Sequence, residues 1–117
     1  MSTLSKSDHQ HLASIALTIN WSRIATVMKV LDWKYYHLPG RAPNAGELRD
    51  GALEYLASCI QEARANRHNT YHLQTGGFSF GAEVCPETGA VRSLYCEFTI
   101  EAHTSTEAND YSPAEHD

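Results

Sequence analysis

Basic charge is in short supply in this sequence of 117 residues. Nine Lys and Arg stand against fourteen Asp and Glu, a net charge of −5. A protein held to nucleic acid by phosphate contacts needs the opposite balance, as does one held to an anionic membrane by a polybasic stretch. Neither direct nucleic-acid binding nor membrane association is expected. No apolar run approaches the ~20 residues that span a bilayer. The N-terminus sets Lys6, Asp8, His9 and His11 around only Leu4 and Leu12, without the apolar core of a signal peptide. Cysteine is scarce and odd in number. Cys59, Cys85 and Cys96 contain no CxxC pair and form no disulfide framework, which points to a reducing cytosol.

Recognisable metal motifs are missing as well. Zinc requires about three or four convergent ligands, and the seven histidines are not spaced to supply them. His9 and His11 point to different sides of a helix, and His68 and His72 fall where a helix gives way to a strand. HExxH does not occur. Asp32, Glu47 and Asp50 read as caps and surface carboxylates, and Cys59 and Cys96 as small core hydrophobes. No catalytic residue, metal site or cofactor is expected, and the chain does not read as an enzyme.

What is present suits one small α+β domain. Hydrophobic residues make up 42% and charged residues 20%, enough for one core and too apolar for general disorder. Ser5 and Asp8 form a capping box ahead of a first helix with Leu4, Leu12, Ile15 and Ile19 on one side. Asn20 caps a second, in which Trp21, Ile24, Ala25, Met28 and Leu31 recur at helical spacing. Pro39, Gly40 and Pro43 make the next stretch a loop. Asn44 and Glu47 cap a third helix over residues 47–64. Its stripe is Ala45, Leu48, Ala52, Tyr55, Leu56, Cys59, Ile60 and Ala63, with Asp50, Glu54, Gln61 and Arg64 off it.

From Thr70 the period changes to two. Tyr71 and Leu73, then Phe78, Phe80, Ala82 and Val84, then Leu94, Cys96, Phe98, Ile100 and Ala102 predict three antiparallel strands beneath the helices. Gly76-Gly77 as a two-residue turn pairs Thr75 with Phe78, Leu73 with Phe80 and Tyr71 with Ala82. A kink within one longer strand is the alternative. The connection around Pro86–Gly89 needs an odd number of residues to keep Phe80 and Leu94 on one face, such as a bulge at Gly89. Residues 1–103 thus read as one α+β domain of two or three helices on a three-stranded antiparallel sheet. Residues 104–117 read as a mobile acidic tail.

Two segments stand out as binding candidates. Trp33, Lys34, Tyr35 and Tyr36 follow the second helix into a loop that also holds Arg41. Rings with polar tips and a nearby cation suit a binding surface. Thr75, Gly76 and Gly77 could present backbone amides closely to a ligand, although the P-loop lysine and helix are missing.

Asn20-Trp21-Ser22-Arg23-Ile24, Leu31-Asp32-Trp33, Pro43 to Glu47-Leu48, and Thr75-Gly76-Gly77-Phe78 together resemble a widespread family of small, uncharacterised phage and prophage proteins. The resemblance spans roughly residues 20–101. The family usually has a tryptophan where this chain has Tyr35. It implies phage origin and residence in the host-cell cytoplasm. It also implies the accessory role of antagonising a host antiviral defence, by binding a defence protein as anti-CRISPR-like inhibitors do. A nucleotide-like immune signal captured near Thr75 to Phe78, Trp33 and Arg41 is the alternative, and a structural or regulatory phage accessory protein a third. A homodimer is compatible with each.

Overall fold

The computed structural model describes residues 4–30, 44–75, 78–99 and 106–111. Three helices, α1 (Lys6–Ala16), α2 (Trp21–Val30) and α3 (Ala45–Ala65), precede four strands, β1 (Thr70–Thr75), β2 (Phe78–Val84), β3 (Val91–Thr99) and β4 (Thr106–Tyr111). Polar residues set the helix starts. Ser5 accepts from the Asp8 amide while the Asp8 carboxylate accepts from the Ser5 amide. Asn44 and Glu47 do the same for α3, and the Asn20 side chain accepts from the Arg23 amide in α2. Each cap satisfies amides that the first helical turn leaves without partners. Asn66 closes α3.

The sheet is antiparallel in the order β1-β2-β3-β4. Thr75 faces Phe78, Leu73 faces Phe80 and Tyr71 faces Ala82, so the chain reverses between β1 and β2 and does not run on as one strand. The β2–β3 register keeps Phe80 opposite Cys96 and Ala82 opposite Leu94, then shifts between Glu83 and Val84. The bulge anticipated at Gly89 lies instead at Arg92: Glu83 pairs with Ser93 and Val84 with Val91, which leaves Arg92 as the additional residue. Gly89 serves the turn itself, at φ +75°, a backbone region costly for residues with a Cβ.

Beyond the three strands expected, β4 pairs with β3, setting Phe98 opposite Glu107 and Leu94 opposite Tyr111. It falls within the stretch read as a tail. An edge strand can be held by backbone hydrogen bonds alone, so its sequence, Thr-Glu-Ala-Asn-Asp-Tyr, needs no apolar alternation.

One core joins the layers. Leu48, Leu56, Cys59, Ile60 and Ala63 of α3 are buried against Phe78, Phe80, Leu94, Cys96 and Phe98. The Tyr55 ring stacks on Phe80 at 5.3 Å while its edge stays exposed. Phe78 packs against both Phe80 and Phe98. Trp21 is buried, and its indole N–H donates to the Ala16 carbonyl at 2.8 Å. A core role for Trp21 follows directly.

Candidate functional site

The clearest polar construction in the described fold ties three distant segments together. Asp8 in the first turn of α1 is 2% exposed. Both of its carboxylate oxygens accept from Arg64 at the end of α3, each at 2.8 Å, and the Arg64 Nε–H donates to the Gly89 carbonyl at 2.8 Å. Planar guanidinium and carboxylate match as a two-pronged pair. The Arg64 side chain itself is 20% exposed. Burial pushes the Asp8 carboxyl up, but the hydrogen bonds from Arg64 and Ser5 outweigh it, and the net shift is downward. Although the sequence pattern puts Arg64 off the apolar stripe, Arg64 is a clamp and not a solvated surface residue.

A cleft of about 510 Å³ opens beside this clamp, lined by Ser5, Asp8, Arg64, Cys85, Thr88 and Gly89 among others. Its β2–β3 turn is fixed by the Cys85 amide donating to Ala90 and the Gly89 amide donating to Cys85, both at 2.8 Å. Hydrogen bonds from the Thr88 side chain, and then from the Thr88 and Glu87 amides, hold the half-exposed Cys85 thiol below its ordinary pKa. Burial drives the other two thiols upward, Cys59 to about 11, with Glu62 adding to the effect, and Cys96 to about 12. All three cysteines are free.

Of the binding candidates, only Thr75 is among the described residues. Trp33, Lys34, Tyr35, Tyr36, Arg41, Gly76 and Gly77 lie outside the described residues. Thr75 ends β1, opposite Phe78. The flanking geometry is informative. Arg64 meets the β2–β3 turn, whereas Tyr55 meets Phe80, so α3 runs back along β2 towards Phe78. From Tyr55 to Ala45 the helix rises about 15 Å, while Phe80 to Phe78 covers only about 7 Å. Asn44, where the 31–43 stretch enters α3, therefore lies at the same end of the sheet as Thr75.

Sequence reasoning missed the clamp and the cleft. The capping box marked Asp8 as an N-terminal residue, but nothing local connects it with Arg64, which stands 56 positions away. Among the described residues no group of three or more His, Cys, Asp or Glu is placed to hold a metal ion, and no helix is long and apolar enough to cross a membrane. Comparison with protein-family models, curated proteins and solved structures finds no match to this chain.

Proposed function

We propose that this protein is a non-enzymatic binding protein, and more narrowly a phage-encoded antagonist that occupies a surface of a host defence protein. The reading rests on the run of α3 along β2, which carries Asn44 towards the Thr75 end of the sheet. These two residues border the two segments richest in binding-type residues, 31–43 and 76–77. Segments at the edge of a packed scaffold carry recognition without weakening the core. Arg64 supports the same view from the opposite end, since its guanidinium is committed to Asp8 and Gly89. The net charge of −5 favours a basic partner surface through long-range attraction.

The test is plaque formation by a sensitive phage on hosts that each carry a single defence system, with this chain expressed beside it. Restored plaque formation on one such host is expected, with loss of the effect in the Tyr36→Ala/Arg41→Ala double variant at unchanged melting temperature. Full activity of that variant, or no relief of any system, refutes the reading. Recovery of a nucleotide from the heat-denatured purified protein would replace the protein partner with a sequestered signal.

A further inference from the structure

We propose that the chain forms a two-fold dimer in which β1 pairs edge to edge, antiparallel, with β1 of a second copy. This makes one continuous eight-stranded sheet with the helices on one face.

The sheet has two unlike edges. The β4 edge carries Glu107 and Asp110, and charges on an edge strand discourage further pairing. The β1 edge reads Thr-Tyr-His-Leu-Gln-Thr, with no Asp, Glu, Lys, Arg or Pro. Its register with β2 runs from Thr70 to Thr75 without a bulge. Among the described residues nothing pairs with its outer side. This is the edge without the usual protection.

Hydrogen-bond alternation shows which groups wait there. The Val84 amide donates to the Asn69 carbonyl at 2.9 Å, so in this register Asn69, Tyr71, Leu73 and Thr75 direct their backbone groups to β2. Thr70, His72 and Gln74 direct theirs outward. An antiparallel self-pairing centred on His72 sets Thr70 against Gln74 of the second copy, and His72 against its own equivalent. That register pairs every outward N–H and C=O of the three residues.

The side chains agree with this register. Tyr71 and Leu73 lie on the helix face, each half-buried against the core. Centring on His72 brings Tyr71 opposite Leu73 of the second copy, twice by symmetry, in the closer type of antiparallel pair. On the other face the His72 ring sits over Gly81, where an added Cβ would come within 2.8 Å of Nδ1. The strand is thus complementary to itself in backbone and side chains, which is why a second copy is its occupant and not an unrelated peptide.

Sedimentation velocity of the full chain across the micromolar range, joined to hydrogen–deuterium exchange, tests this. A dimer is expected, with the Thr70 and His72 amides protected. Gln74→Pro removes an outward amide but no bond to β2, a placement that edge strands tolerate. Acting twice by symmetry, it should weaken the dimer about 100-fold. His72→Lys, which sets two ammonium groups face to face, should do the same, while circular dichroism shows the fold retained. A monomeric wild type overturns the proposal. So does a dimer that survives both substitutions with the Thr70 and His72 amides exchanging freely.

Discussion

Replacing Asp8 by Asn removes one charge and almost no volume, so the response isolates the electrostatics of the clamp. In the folded chain Asp8 is 2% exposed and takes two 2.8 Å hydrogen bonds from Arg64. Asn can accept only one of them and leaves the guanidinium without its counter-charge. Breaking a buried pair by removing one partner costs about 3–5 kcal/mol. The 20% exposure of the Arg64 side chain lets water reach the cation and lowers the expectation to about 2–3 kcal/mol. Urea unfolding at pH 7 measures the loss. The dependence on pH is a second, independent check. The folded carboxyl titrates below its unfolded value. Its contribution is therefore complete above about pH 4 and disappears as pH falls through the lowered folded pKa. The gap between wild type and Asp8→Asn should shrink over that acid range, because a protonated Asp8 resembles Asn. A loss below ~1 kcal/mol at pH 7, or a gap unchanged in acid, refutes the buried-clamp account.

Leu56 is fully buried in the middle of α3, and Leu56→Ala should cost about 2–5 kcal/mol through the cavity it leaves; an unfolding midpoint close to that of the wild type would remove α3 from the core. Gly89 adopts φ +75° beside Arg64, so Gly89→Ala should cost about 1–2 kcal/mol in backbone strain and Gly89→Asn less, a ranking that thermal melts of the two variants can reverse or uphold. Cys85 is half-exposed with a lowered pKa, whereas Cys59 and Cys96 are buried with raised ones. Brief iodoacetamide treatment of the native protein should then give a single adduct at Cys85, as read by intact mass and peptide mapping. Equal labelling of all three would contradict the burial.

Local chemistry was legible and distant pairing was not. The capping boxes at Ser5 and Asn44, the stripe through Leu48, Leu56 and Ile60, and the parity that pairs Leu73 with Phe80 all arise from neighbours within a few positions. The structure contains each of them. The role of Arg64 was not legible because helical periodicity reports which side a residue faces, not whether a remote carboxylate meets it there. β4 was missed because backbone pairing leaves no apolar trace in the sequence. The bulge was misplaced from Gly89 because parity fixes that one residue must be extra but not which one, and Arg92 carries no marker for it. As for the binding candidates, Thr75 has a definite register position, and the remainder fall on residues 31–43 and 76–77, outside the description.

The wide separation of Asp8 from Arg64 has a consequence for synthesis. Ribosomes add about 5–20 residues per second, so the 56 positions between the partners correspond to roughly 3–11 s of elongation. By the end of that interval Leu12, Ile15 and Ile19 have long been made, while Phe80, Leu94 and Phe98, which complete their shared core, have not. The β1–β2–β3 meander can close quickly once it emerges, since its contacts are near in sequence. The first helix, however, completes its packing on a surface that did not exist when it appeared. Soluble yield should therefore respond to whatever occupies that helix in the meantime, and a chaperone that shields apolar segments during elongation would act on residues 4–19 before any other part of the protein.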